Sequence, residues 1–342
     1  MKILVTGAGG FLGRYIIAGL LKRGHTVRGI GRSPQPDLLD SGVEMVQGDV
    51  ADERAVDVAM EGCDAVIHTA AKAGVWGSWE SYHTPNVIGT RQIVEGCRRH
   101  GLKRLVYTST PSVVFNRQPL RHVDESQPYG SDWLCHYAHT KRLAEEYVLK
   151  ADEPGGLRTV ALRPHLIWGI GDPHLLARVF EAARTGRLAV VGSGDNKVDI
   201  THVYNAAQAH WQALDALDRG TAGGKAYFIS QGEPVTLWPW VEMLLAEAGL
   251  PAIRRRVSFK KAYRAGAVLE TIYKLFGLSG EPPMTRFVAT ELAKDHYFDI
   301  TAARRDLGYT PTVSTAAGVK ALVEYYRKNK SLDSAGLPTV DV

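Results

Sequence analysis

Short apolar runs alternate with amphipathic stretches along the first half of this chain. Ile3, Leu4 and Val5 form the first run, of the kind a parallel strand buried on both faces requires. It stops at Gly7. From Phe11 to Lys22 the apolar positions Phe11, Leu12, Tyr15, Ile16, Leu20 and Leu21 share one face of a helix. The alternation then repeats. Strands are predicted at 25–31, 43–47, 65–68, 104–107 and 157–164, with helices at 51–60, 86–99 and from Tyr137 to about Leu149. Strand–helix alternation over about the first 165 residues predicts an α/β fold, a doubly wound parallel (Rossmann) sheet.

Beyond Gly171 the pattern loosens. Helices are predicted at 173–184, 203–217 and 237–248, a hairpin in the Gly/Asn/Asp-rich stretch 189–199 and a returning strand at 225–229. The expected organisation is a dinucleotide-binding unit over 1–170, to which a strand and a helix return near 198–230. A smaller, mostly helical substrate unit over 171–330 and a frayed tail over 331–342 complete it. The segment 254–276 interleaves basic residues with Tyr263, Val268, Leu269, Ile272, Tyr273, Leu275 and Phe276. Such a segment suits a membrane surface, an acyl chain, or a lid helix packed on the substrate unit.

Composition narrows the class without naming a function. The 342 residues are 45% apolar and 23% charged, ordinary for a globular protein with one or two domains. The net charge of +5 is scattered, with only Arg254-Arg255-Arg256 tightly clustered, so no nucleic-acid module is expected. Three widely spaced cysteines, Cys63, Cys97 and Cys135, make neither a disulfide framework nor a metal motif. A reducing, cytoplasmic setting is expected, with no signal peptide and no membrane span.

The chemistry sits at strand ends. Gly7, Gly10 and Gly13 lie between the first strand and the first helix, where small residues let backbone N–H groups approach a pyrophosphate. Gly31 ends the second strand where an acidic residue would favour NAD. Arg32 and Ser33 follow, and a guanidinium there can clamp a 2′-phosphate, so NADP(H) is the expected cofactor. Ala70 and Ala71 leave room at the end of the fourth strand for a dinucleotide to cross. Trp76 and Trp79, in the glycine- and serine-rich stretch 72–84, either line a substrate mouth or pack. His68 reads as a packed strand-end residue, and His165 reaches a substrate or packs.

Thr108-Ser109-Thr110 closes the fifth strand, and Tyr137 and Lys141 follow on one helix face, one turn apart. A carbonyl that accepts hydride needs a proton. A free tyrosine titrates near pH 10, too high for efficient exchange, and an ammonium one turn away is expected to draw it down. A strand-end hydroxyl can hold the substrate oxygen.

The Gly-x-x-Gly-x-x-Gly turn with Phe11-Leu12, joined to this Tyr-x-x-x-Lys set, resembles the extended short-chain dehydrogenase/reductase superfamily. The resemblance covers almost the whole chain. It implies a cofactor site that includes Gly7, Gly10, Phe11, Leu12, Asp49 and Val50, with Asp49 at the adenine amino group. It implies catalytic roles for Tyr137, Lys141 and Thr110, where threonine stands in the serine's place and Ser109 is the alternative one residue away. Pro164 and Leu166 would sit beside the nicotinamide carboxamide. Tyr107 to Val114 and Asp124-Glu125 are similar to the 3β-hydroxysteroid dehydrogenase branch.

Within that branch, Ala71-Lys-Ala-Gly-Val-Trp-Gly77 with Tyr137-Ala-His-Thr-Lys141 resembles bacterial 2-alkyl-3-oxoalkanoate reductases of olefin biosynthesis. That resemblance implies NADPH-dependent ketone reduction on a hydrophobic acyl or sterol-like substrate. It also implies a homodimer and an assembly with a β-lactone synthetase and a decarboxylase. Competing expectations are a 3β-hydroxysteroid dehydrogenase, a nucleotide-sugar epimerase or dehydratase, and a non-catalytic NADP-sensing protein.

Overall fold

A computed structural model describes residues 1–332 and 336–338. Most of the tail expected over 331–342 therefore lies outside the described residues.

Seven parallel strands form the central sheet: β1 (Lys2–Thr6), β2 (Thr26–Gly31), β3 (Glu44–Gln47), β4 (Ala65–His68), β5 (Arg104–Thr108), β6 (Arg158–Pro164) and β7 (Lys225–Ile229). Their spatial order is β7-β6-β5-β4-β1-β2-β3. The order reverses between β1 and β4, which pair in register from Ile3 opposite Ala65 to Thr6 opposite His68. In open α/β sheets the crevice beyond the carboxyl ends of the strands at such a reversal is where ligands bind.

Both faces are covered, which is why the strands read as unbroken apolar runs. Ile3, Val5, Ile67, Val106, Val160 and Leu162 point to one side, against helices α1 (Phe11–Lys22) and α4 (Val203–Asp218). Leu4, Val66, Leu105, Tyr107 and Ala161 point to the other, against α2 (Gly89–Arg99) and α3 (His136–Lys150). The period of two along each strand produces this division. α2 is entered through a π-helical turn at Thr84–Ile88, which follows a short helix at Trp79–His83 within the glycine- and serine-rich stretch.

A second apolar cluster holds the C-terminal half. Trp168, Phe180, Val190 and Val198 pack there with α5 (Leu237–Ala248) and Ala262 of α6 (Phe259–Leu275). The hairpin expected over 189–199 does not form. Ala189–Val191 pairs in parallel with Arg255–Val257, and Lys197–Val198 joins a separate four-stranded sheet. The glycines there turn the chain between two sheets instead of folding it back on itself.

Candidate active site

The first β–α turn is shaped by what cannot be present. Gly7 has φ of +66°, and a Cβ on it would lie 2.7 Å from Thr69 Oγ1 and 3.0 Å from the Ala70 nitrogen. A Cβ on Gly13 would stand 2.2 Å from the Gly7 carbonyl oxygen. The backbone therefore closes tightly, and α1 begins at Gly10 with no side-chain cap and no acid in its first turn. Uncapped N–H groups and the positive end of the helix dipole suit a phosphate. Phe11 and Leu12 form the first helical turn, partly exposed.

A hydroxyl–imidazole chain fixes the floor of this cleft. Thr6 Oγ1 accepts from the Thr69 and Ala70 nitrogens at 3.1 and 3.0 Å, so its own proton goes to His68 Nδ1 at 2.7 Å. His68 Nε2 must then donate to Thr90 Oγ1, 3.0 Å away. Burial, and then the nearby Lys141, hold the His68 pKa down at about 3, so the ring is neutral and structural. The chain continues into Asn86, which binds the Lys72 backbone and Thr140 Oγ1 on α3. Nothing in the local sequence marks Asn86; only the fold brings it under the cleft. Lys72 Nζ donates to Ser81 Oγ at 2.8 Å and lies 4.7 Å from the Tyr82 ring centroid, and it pairs with no carboxylate among the described residues.

The rim beyond β2 is open. Arg32 and Ser33 are exposed, and a Cβ on Gly31 would meet nothing within 4 Å. Gln47 Nε2 holds the Arg32 carbonyl at 3.1 Å. Asp49 accepts from the Ala51 nitrogen at 2.9 Å and remains partly exposed, while Val50 is buried. Sequence reasoning missed a neighbour here. Arg14 donates to the Gly9 carbonyl, pairs with Asp37 and binds Gln35 Oε1 at 2.8 Å, so the α1 turn is braced against the loop after β2.

At the other end of the cleft, α3 presents Tyr137 and Lys141 one turn apart. Lys141 is 2% exposed. Its Nζ donates to the Thr108 carbonyl at 2.6 Å and stands 4.2 Å from the Tyr107 ring centroid. Burial pulls its pKa down to about 7, against the pull of Glu145. Tyr137 is only partly exposed, and burial pushes its phenol up to about 12, opposed by the nearby Thr110 hydroxyl. This corrects the expectation of a phenol drawn down by its lysine. The buried lysine, its own pKa lowered to about 7, faces a carbonyl and an aromatic ring, so it exerts little pull. Of the two candidate hydroxyls, Thr110 is the one that meets Tyr137. Ser109 Oγ is buried without a hydrogen-bond partner.

Pro164 is buried at the end of β6, and Leu166 follows with φ of +39°, an unusual backbone for a branched side chain. Leu166 faces a cavity of about 790 Å³, lined largely by apolar groups that include Val179, Trp238, Trp240 and Val257. Val75 and Val288 line it too, and both pack in the cluster that holds Tyr137. His165 does not reach it: the ring is 6% exposed and hydrogen-bonds His296 Nδ1 at 2.6 Å. Trp79 packs on His83, His136 and His139, and Trp76 on Tyr273, so neither tryptophan lines the cavity.

A glycine turn at a sheet reversal, a Tyr–Lys pair at the opposite end of the crevice and a largely apolar cavity that shares Val75 and Val288 with the cluster around Tyr137 are the features of a dinucleotide-dependent oxidoreductase. The chain belongs to the 3-beta hydroxysteroid dehydrogenase/isomerase family, whose model matches residues 4–260. It is 51% identical to a 2-alkyl-3-oxoalkanoate reductase of Stenotrophomonas maltophilia, over 94% of this chain and 98% of that one. Its identity with a 2-alkyl-3-oxoalkanoate reductase of Shewanella oneidensis is 48%, over 93% and 84% of the two chains. Among solved structures it resembles MoeE5 in complex with UDP-glucose and NAD, with a TM-score of 0.75, 25% identity and coverage of 97% and 100%.

Proposed function

We propose that this protein reduces the 3-keto group of a 2-alkyl-3-oxoalkanoic acid to the 2-alkyl-3-hydroxyalkanoic acid, with NADP(H) as cofactor. The observation that carries the reading is the Tyr137 phenol near the Thr110 hydroxyl, on a helix whose apolar cluster also takes in Val75 and Val288 of a largely apolar cavity big enough for alkyl chains. The names of the two relatives, at about half identity over nearly the full chain, supply the substrate class.

The glycine turn with Phe11 and Leu12 fits a pyrophosphate. Arg32 and Ser33 fit a 2′-phosphate, Asp49 and Val50 an adenine, Ala70 and Ala71 the crossing between them, and Pro164 and Leu166 a nicotinamide. A bound nicotinamide cofactor supplies the hydride. The chain's own part is to deliver a proton and hold the oxygen. Thr110 and Tyr137 both hydrogen-bond the substrate carbonyl oxygen, and Tyr137 gives up its proton as negative charge builds there. Lys141 then stabilises the phenolate. Its ammonium becomes favoured as the phenol loses its proton and as anionic ligand groups fill the cleft. The buried neutral His68 cannot compete as an acid at neutral pH.

The half identity with two reductases favours this reading over a nucleotide-sugar epimerase. The cavity offers hydrocarbon at Leu166, Trp238, Trp240 and Val257 for alkyl chains and cations at Arg178, Arg187, Arg255 and Lys261 for the acid's carboxylate. NADPH oxidation measured against α-alkylated β-keto acids, sterols and nucleotide sugars tests it; turnover confined to the last two classes sinks the proposal. The same resemblance extends the reading to a homodimer packed through α2 and α3 and to an assembly with a β-lactone synthetase and a decarboxylase. Light scattering and affinity capture with those two enzymes test that extension. Cys63, Cys97 and Cys135 are free thiols, and no helix among the described residues is long and apolar enough to cross a membrane.

A further inference from the structure

Helix α6 carries one row of side chains at three- and four-residue spacing: Lys261, Ala265, Val268, Ile272, then Leu275 and Phe276. The row has two fates. Its first members, Lys261 and Ala265, line the 790 Å³ cavity. Its later members leave the protein: Val268 is 59% exposed, Ile272 37%, Leu275 75% and Phe276 68%. Single exposed apolar residues are ordinary, but four on one stripe of one helix are an interaction surface.

The charges on this helix are one-sided. Its only acid, Glu270, is turned into the body, where Arg286 meets it at 2.7 Å. The charges left facing solvent are Lys260, Lys261, Arg264 and Lys274, and the exposed Arg254, Arg255 and Arg256 lie just before the helix. An apolar stripe flanked only by cations complements an anionic lipid surface. The helix end also rests on the loop that borders the site. Tyr273 packs edge-on against Trp76 with ring centroids 6.1 Å apart, and Lys274 Nζ lies 5.8 Å from the Trp76 ring. Val75, next in sequence, lines the cavity.

We infer that α6 docks this enzyme on anionic phospholipid bilayers. Val268, Ile272, Leu275 and Phe276 enter the interface while Lys260, Arg264 and Lys274 meet the headgroups. The row continuing to Ala265 leads an alkyl chain from the lipid to the cavity mouth, where Lys261 can meet its carboxylate. The inference goes beyond the proposed reaction and holds for any long apolar substrate.

Sedimentation of the full-length protein with phosphatidylglycerol/phosphatidylcholine vesicles, and with phosphatidylcholine alone, tests it. The wild-type protein should pellet with the anionic vesicles and stay in solution with the neutral ones. Leu275→Ser/Phe276→Ser and Lys260→Glu/Arg264→Glu should each weaken the partition by about tenfold or more while melting as the wild type does. The charge variant keeps the test informative if the apolar one fails to fold. Wild-type protein that ignores anionic vesicles, or variants that pellet equally well, overturns the inference. So does a stripe variant that merely converts a dimer into monomers in vesicle-free solution, because the stripe is then a subunit contact.

Discussion

Lys141 Nζ donates to the main-chain carbonyl of Thr108 across 2.6 Å, which ties the helix that bears Tyr137 to the end of β5. Thr108 is held from its other side, where its hydroxyl meets His210 Nε2 at 2.7 Å. The lysine is thus anchored by structure before any ligand arrives. Lys141→Met is expected to lower kcat/KM by about 10²–10⁴, the usual worth of acid–base catalysis. Tyr137→Phe should lose turnover by at least as much yet still bind cofactor. Steady-state rates with fluorescence titration of NADPH check both, and a Tyr137→Phe enzyme that turns over normally would refute the assignment.

The Lys141 pKa of about 7 sets a pH dependence. Below that value the side chain is an ammonium that welcomes an anionic ligand; above it the ammonium is progressively lost. Dinucleotide binding to the ligand-free enzyme should therefore weaken from pH 6 to pH 8, and Lys141→Arg should flatten the trend. NADH is the ligand to use, because the 2′-phosphate of NADPH titrates in the same range. Equal slopes for wild type and variant would exclude Lys141 as the cause.

Gly31 ends β2 with open space where a side chain would go, and Arg32 is exposed beside it. Gly31→Asp/Arg32→Ala adds a carboxylate for a ribose hydroxyl and removes the guanidinium for a phosphate. The ratio of kcat/KM for NADPH over NADH should fall by roughly 10–100-fold, the worth of one charged hydrogen bond. An unchanged ratio would place the 2′-phosphate elsewhere.

Glu145 is fully buried and takes three charged hydrogen bonds from Arg163, at 3.2, 3.0 and 2.6 Å, and one from the Tyr129 hydroxyl at 2.8 Å. Glu145→Gln strands a guanidinium in the core and should cost about 3–5 kcal/mol. Glu145→Leu/Arg163→Met removes both charges and should cost less than the single change. Urea unfolding of the three proteins decides; a double variant less stable than Glu145→Gln would contradict the argument.

Burial holds His202 and His210 at about 4, His68 at about 3 and His165 well below its ordinary value. These are bases with depressed folded-state pKa values. As pH falls below about 6.5 the unfolded chain takes up protons that the folded one refuses until about pH 4. Their contribution is intact above pH 6.5 and is lost through that window, by about 2 kcal/mol per histidine at pH 5. Burial also raises Asp199, to about 6, and Glu125, Asp172 and Glu291, and these four carboxyls return part of it as the pH falls. The histidines carry the larger shifts, so the urea midpoint should drop between pH 7.5 and 5. A constant midpoint would show that these rings are protonated in the fold.

Local pattern determined the sheet strands, the helices over them and the glycine turn. Those features depend on periodicity, and periodicity is written residue by residue: Ile3 and Leu4 must face opposite sides wherever the strand lies. The Tyr137–Lys141 relation was legible for the same reason, since a helix turn sets it. Tertiary structure alone decided what each group feels. Burial pushed the Tyr137 phenol up where charge proximity in the sequence argued down, because desolvation depends on every neighbour within reach. It put Asn86 beneath the cleft, sent His165 to His296, set Thr110 near Tyr137 and split the expected hairpin at 189–199 between two sheets. Each of those outcomes joins residues distant in the chain, and no local pattern records such a meeting.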